Sequence, residues 1–190
     1  MKRIVVMNSK GGSGKSLLAR ELAYSLERTH IPFNYYDFDR QQGSFPENEQ
    51  ENAIIMIADT PAKITKEQIA DFAKAADVIV IPTQTGMDDA GPTIESLETA
   101  RTANPKATII VVQNSWSRYR LASDYNKWLQ ENIGNAILKR LPRSEMFGQA
   151  RAANESVVSW APRSRAASML IDVMNTIRHA AALSDDQGDL

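Results

Sequence analysis

The chain has 190 residues, a formal net charge of −1 and no cysteine. This length suits one domain with a substantial core, and the missing cysteines exclude disulfides and an iron–sulfur cluster held by this chain. No apolar run approaches the ~20 residues of a membrane-spanning helix, and the N-terminus lacks the apolar core of a signal peptide. We therefore expect a cytoplasmic protein with a single domain over residues 1–183 and a disordered tail over residues 184–190.

Short apolar runs alternate with helical patterns along most of the chain. The predicted order is strand 2–8, helix 16–28, strand 33–38, strand 53–58, helix 66–74, strand 78–81, helix 89–103, strand 108–112, helix 123–131, strand 136–138, helix 145–154 and helix 164–183. Unbroken apolar strands separated by helices indicate a mostly parallel sheet covered on both faces. The predicted fold is therefore a doubly wound α/β sheet flanked by helices, with ligands at the carboxyl ends of its strands.

The segment SKGGSGKS (residues 9–16) lies between the first predicted strand and the first predicted helix. Glycines in such a loop allow backbone N–H groups to surround an anion. Lys15 would reach the β- and γ-phosphates of a nucleotide, and the Ser16 hydroxyl would bind Mg²⁺. The ordinary nucleotide loop begins with glycine, whereas this loop has Ser9 there and an additional lysine, Lys10, directly after it. This pattern predicts a P-loop nucleotide-binding protein with an unusual second lysine.

Three aspartates stand at predicted strand ends. Asp59 ends the apolar run AIIMIAD, where a carboxylate can hold Mg²⁺ directly or through water. Asp37 and Asp39 end the second strand, and their spacing of two places both on one face if the strand continues through them. One of them would orient water or support the metal. An ordinary polar strand end remains the alternative for each.

Four segments resemble the motifs of the ParA/MinD class of deviant Walker A ATPases. They are KGGSGKS (10–16), DFDRQQGS (37–44), IIMIADTPA (54–62) and ADVIVIPTQTGMDDAG (76–91). The resemblance continues weakly through residues 111–116 and 141–150, so it covers nearly the whole chain. The second motif departs from the family pattern, because Arg40 stands where proline is common.

The resemblance implies a slow ATPase that uses ATP or ADP and Mg²⁺, most like a small partitioning ParA. Such proteins form a face-to-face dimer around two ATP molecules, and the first loop lysine crosses to the partner's nucleotide. By resemblance, Lys10 is that lysine, Lys15 acts within its own chain and Asp39 positions the attacking water. Ser16, Asp59 and Asp37 are the metal candidates. The implied ATP-binding residues are Lys10, Gly11, Gly12, Ser13, Gly14, Lys15, Ser16, Leu17, Asn114, Pro142 and Arg143.

ParA-like dimers also bind DNA without sequence preference, and a ParB-like partner stimulates hydrolysis. Arginines are in excess over carboxylates between residues 113 and 178. Several arginines that neutralise phosphates would produce sequence-independent, salt-dependent affinity. The resemblance therefore implies a nucleoid-associated protein that positions plasmid or chromosomal DNA or another large cargo. The candidate DNA contacts are Arg118, Arg120, Arg140, Arg143, Arg151, Arg163 and Arg165.

Three other functions remain open at this point. A MinD-like protein that cycles on membranes would need a basic amphipathic C-terminal helix, but this chain ends in the acidic DDQGDL, which an anionic membrane repels. No membrane partner is therefore expected. A metabolic ATP-dependent enzyme of the same superfamily and a binding module that has lost hydrolysis are the other two.

Overall fold

A computed structural model of the chain describes residues 1–39 and 45–182. Residues 40–44 of the second motif, with Arg40, and the expected tail lie outside the described residues. The elements in chain order are β1 (Lys2–Val6), α1 (Lys15–Arg28), β2 (Phe33–Asp37), β3 (Ile55–Asp59), α2 (Lys66–Ala75), β4 (Val78–Thr83), α3 (Met87–Ala103), β5 (Thr108–Trp116), α4 (Arg120–Asn132), β6 (Ile137–Pro142), α5 (Met146–Ala152), α6 (Val157–Trp160) and α7 (Arg165–Ala180).

Within the described residues the six strands form one parallel sheet in the order β2-β3-β1-β4-β5-β6. The predicted α/β class, with a parallel sheet between two layers of helices, is confirmed. The chain runs from β1 toward one edge through β2 and β3, and then toward the other edge through β4, β5 and β6. The strand order therefore reverses at β1, and a crevice forms beyond its carboxyl end.

The side chains of the central strands alternate between two apolar cores. In β1, Ile4 and Val6 face one core, whereas the intervening Val5 and the following Met7 face the other. The first core is closed by α1, α5, α6 and α7, and the second by α2, α3 and α4. Because both faces are buried, nearly every position of these strands is apolar, which explains their unbroken runs in the sequence.

The differences from prediction lie at the ends of elements. β5 continues past the apolar run to Trp116, and β6 continues to Pro142. The polar residues near the end of β5 remain in the strand because they find partners: the Gln113 amide donates to the carbonyl of Ala122 (3.1 Å) and accepts from Asn126 (2.9 Å). The four-residue helix α6, which begins after the capping residue Ser156, was not predicted.

Among the described residues, no helix is long and apolar enough to span a bilayer.

Candidate functional site

The phosphate loop connects β1 to α1 at the point where the strand order reverses. Gly12 and Gly14 have φ values of 74° and 108°, in the left-handed region that favours glycine. A side chain at Gly14 would also collide with the Asn114 amide. The loop is therefore shaped by glycines at fixed positions, as the sequence predicted, and α1 begins directly behind it.

Lys15 is buried inside this loop, with 5% of its surface exposed. Its ammonium donates to three backbone carbonyls, those of Asn8 (3.2 Å), Lys10 (3.1 Å) and Ala62 (3.1 Å). Burial lowers the pKa of Lys15, whereas the attraction of Asp59 and Asp39 acts in the opposite direction. These carbonyls are neutral acceptors, so a phosphate oxygen would be a stronger partner for the charged group.

Asp59 ends β3, where its backbone pairs in register with Val6 and Asp37 of the adjacent strands. Its carboxylate is fully buried, and neither oxygen accepts a hydrogen bond of normal geometry from the described residues. Burial raises the pKa of Asp59 to about 6; the neighbouring Ser16 hydroxyl opposes this rise, and the charge of Asp37 adds to it. A buried carboxylate without a partner is the kind of group that a cation normally satisfies.

The second motif lies against the segment that follows Asp59. The Asp39 carboxylate accepts from the backbone N–H of Ala62 (3.1 Å), and Asp37 accepts from the N–H of Asp39 (2.8 Å). The condition under which Asp37 and Asp39 would share one strand face is not met, because β2 ends at Asp37 and the chain then bends. This bend carries Asp39 toward the phosphate loop.

The residues present fit Mg²⁺ held together with a nucleotide. The described residues contain no group of three or more histidine or acidic side chains that would hold a metal ion by themselves. Mg²⁺ is usually bound by one or two carboxylates, with water and substrate phosphates completing its shell. Ser16 and the orphaned carboxylate of Asp59 are suited to that partial role.

Lys10 points away from the loop and forms an ion pair with Asp89 near the start of α3 (2.9 Å). About a third of the Lys10 side chain is exposed, whereas that of Asp89 is nearly buried. The hydrogen bond to Asp89 raises the pKa of Lys10, and the second oxygen of Asp89 is buried without a partner. Sequence reasoning missed Asp89 as a partner. The available signal was the acidic pair Asp88–Asp89 at a predicted helix start.

The expected base-binding residues lie at the ends of β5 and β6. The Asn114 amide donates to the carbonyl of Ser13 (3.4 Å), so this side chain covers the phosphate loop. Pro142 is buried, and exposed Arg143 donates its backbone N–H to the carbonyl of Trp116 (2.8 Å). In the strand order these three residues therefore lie on the β4 side of β1, opposite the side on which Asp59 ends β3.

The candidate DNA-binding arginines divide into distinct environments. Arg140 and Arg165 both lie over the ring of Trp116, with guanidinium carbons 4.7 and 5.1 Å from the ring centre. Arg120 forms an exposed ion pair with Asp124 (3.4 Å). The other four are exposed: Arg118, Arg143, Arg151 and Arg163.

Residues 4–157 match the family profile described as the CobQ/CobB/MinD/ParA nucleotide binding domain. No curated protein matches the chain significantly. Three similar solved structures are an ATP complex of a McdA variant from Cyanothece (15% identity, 97% of each chain covered, TM-score 0.78), MinD from Pyrococcus horikoshii OT3 with Mg-ADP (11%, 96% of this chain and 98% of that chain, 0.73) and cobyrinic acid a,c-diamide synthase from Mycobacterium smegmatis with ADP and magnesium (13%, 94% and 95%, 0.66). At these identities the similarity shows a shared fold.

The buried charge of Asp59 predicts a pH-dependent stability. Its folded pKa of about 6 exceeds its ordinary value of 3.8, so the contribution to stability is fully present below pH 3.8 and is lost as the pH rises through 6. Without nucleotide and Mg²⁺, Asp59→Asn should raise the free energy of unfolding by about 3 kcal/mol at pH 7.5 and by about half of that at pH 5.

Urea unfolding at the two pH values measures this difference. The exposed Asp71→Asn is the control and should change the free energy by less than about 0.5 kcal/mol at either pH. A gain for Asp59→Asn that did not depend on pH would contradict the assignment.

Proposed function

Because the chain belongs to the CobQ/CobB/MinD/ParA nucleotide-binding family, we propose that it is a ParA-type ATPase that binds ATP with Mg²⁺. In this proposal ATP closes a face-to-face dimer, the dimer binds DNA without sequence preference, and a ParB-like partner on the cargo stimulates hydrolysis. The observation that carries the proposal is the orphaned carboxylate of Asp59 beside the buried ammonium of Lys15 and the glycine loop. This arrangement suits a metal-bound polyphosphate.

In the proposed reaction, the chain's own residues bind the nucleotide and place water for attack on the γ-phosphate. Lys15 exchanges its carbonyl partners for phosphate oxygens, while Ser16 and Asp59 hold the metal. Mg²⁺, when bound, neutralises charge that develops on the phosphate oxygens. Asp39 orients the attacking water, for which its position beside Ala62 is suitable. The base contacts Asn114 and the chain beyond β6.

In this proposal, ATP hydrolysis depends on a partner chain because of the second loop lysine, Lys10. Lys10 is tied to its own Asp89 in the single chain, so it does not serve its own nucleotide in this conformation. In the proposed dimer Lys10 leaves Asp89 and crosses to the partner's phosphates, where a cation stabilises the transition state much as an arginine finger does. The γ-phosphate would then decide whether the dimer is stable.

The proposed DNA contact is the Trp116 stack, which we define as Arg140, Trp116 and Arg165. The two guanidiniums rest on one indole and form no salt bridge with a described residue. Their charges are therefore available to phosphates, and stacking reduces the conformational freedom they would lose on binding. Such contacts neutralise phosphates without reading bases.

Retention of a random-sequence duplex tests the proposed function. At moderate salt, the protein should bind this DNA with Mg²⁺ and ATP but not with ADP, and Lys10→Ala should remove the ATP-dependent binding. A filter-retention or anisotropy assay measures it. Binding in neither state would reject the DNA-positioning function and favour a metabolic or membrane-associated member of the family.

Breaking the ion pair of Lys10 should favour the dimer. Asp89→Asn removes the charge that holds Lys10 in its own chain. The association constant of the ATP-dependent dimer should therefore rise roughly fivefold. Sedimentation at several protein concentrations measures this constant. Asp88→Asn is the matched control, since it removes an exposed charge from the same helix turn and should change the constant little. Weaker dimerisation of Asp89→Asn would mean that Asp89 does not restrain Lys10.

The Trp116 stack should dominate the salt dependence of DNA binding. Arg140→Ala or Arg165→Ala should weaken ATP-dependent binding about three- to tenfold and reduce the slope of log K against log salt by about 1. Arg120→Ala should change less, because Asp124 already pairs with this arginine. A larger loss for Arg120→Ala than for the two stacked arginines would place the DNA elsewhere.

A further inference from the structure

A small cavity opens between the first two turns of α1 and helix α5, on the face of the sheet that α1 covers. Its volume is about 190 Å³, several times the ~30 Å³ that a water molecule occupies in the liquid. No carboxylate from the described part of the chain lines it. The lining residues are Ser16, Leu17, Arg20, Phe147, Gly148 and Arg151.

The unusual member of this lining is Arg20, which has only 4% of its surface exposed. Its Nε and Nη2 atoms are buried and have no hydrogen-bond partner among residues 1–39 and 45–182. The nearest carboxylate, that of Glu21, lies 4.0 Å from Nη2. That carboxylate already accepts from the hydroxyl of Ser156 (2.6 Å) and the N–H of Val157 (3.1 Å). Among the described residues, Glu21 therefore gives Arg20 only a long ion pair, because both of its carboxylate oxygens already accept shorter hydrogen bonds.

A buried guanidinium without hydrogen-bond partners is costly, and a bound ion is one of the explanations for such a group in a native structure. Burial lowers the pKa of Arg20; the charge of Glu21 opposes this effect, and the positive charge of Arg151 adds to it. A bound anion would give the guanidinium of Arg20 a partner and would offset the repulsion by Arg151. A guanidinium binds phosphate oxygens in bidentate fashion.

The start of α1 contributes further to the same cavity. Ser16 and Leu17 belong to its first turn, where backbone N–H groups have no partner within the helix and the helix dipole favours negative charge. Ser16 is also part of the phosphate loop. The cavity therefore adjoins the proposed nucleotide site and reaches α5.

We infer that this cavity is a phosphate-binding subsite, in which Arg20 is the principal cationic ligand and Arg151 lines the α5 side. The phosphate group has two possible sources. It belongs either to the nucleotide held by the loop, which rests on the proposed function, or to a separate anion such as inorganic phosphate, which does not. In both cases Arg20 gains a close anionic partner, which the described residues provide only through the long ion pair with Glu21.

The test compares Arg20→Met and Arg20→Lys with Arg28→Met. Arg28 is the matched control, because it lies on the same helix and its loss removes the same charge without altering the cavity lining. One arm measures the dissociation constant for Mg-ADP by calorimetry. The other measures the melting temperature against inorganic phosphate, first in free protein and then with saturating Mg-ADP.

If the phosphate belongs to the nucleotide, Arg20→Met raises the ADP dissociation constant about tenfold or more, and Arg20→Lys has a smaller effect. If the anion is separate, phosphate raises the melting temperature of the ADP-saturated wild type, and Arg20→Met loses this response. Unchanged ADP affinity together with an unchanged phosphate response in Arg20→Met would overturn the inference. A wild-type protein that bound no ADP would instead contradict the proposed function, and the free-protein phosphate arm would still decide the inference.

Discussion

The site depends on two opposite charges that are buried close to the carboxyl end of β1. The ammonium of Lys15 is satisfied only by backbone carbonyls, and the carboxylate of Asp59 has no partner among the described residues. Burying such charges costs free energy that a fold would normally avoid. A metal-bound polyphosphate would explain the arrangement, because its phosphates would pair with Lys15 and its metal ion with Asp59. The reversal of strand order at β1 supplies the crevice in which such a ligand fits.

The two loop lysines have different environments, and this difference is the basis of the proposed switch. Lys15 is enclosed by its own loop, whereas Lys10 is partly exposed and held by Asp89 on α3. A residue that must be released before it acts makes the reaction depend on a second state of the protein. In the proposed switch, the nucleotide and the partner chain influence one another through the contact between Lys10 and Asp89.

The phosphate loop was predictable because residues that are neighbours in the sequence determine its conformation. The spacing of Gly12, Gly14 and Lys15 between a strand and a helix determines the loop's shape without reference to the rest of the chain. Asp59 was predictable because it ends an apolar strand. The order of elements followed from apolar runs that are buried on both faces.

The contacts between distant segments were not predictable from the chain. The pairing of Lys10 with Asp89 requires β4 to lie beside β1, and that neighbour relation comes from the strand order. Arg20 is polar at a position that a helical pattern would leave at the surface, and it is buried because α5 packs over it. β5 extends through Gln113 because Asn126, on a later helix, satisfies its amide.

The most direct test of the central claim asks whether Lys10 of one chain acts on the nucleotide of another. ATP hydrolysis is measured for Lys10→Ala alone, for Asp39→Ala alone and for an equimolar mixture of the two, under conditions in which the wild type is active. In a mixed dimer, the site of the Lys10→Ala chain keeps its own Asp39 and receives Lys10 from its partner. We predict that the mixture hydrolyses ATP faster than the sum of the separate variants. A mixture no faster than that sum would show that Lys10 does not act across the dimer and would contradict the account.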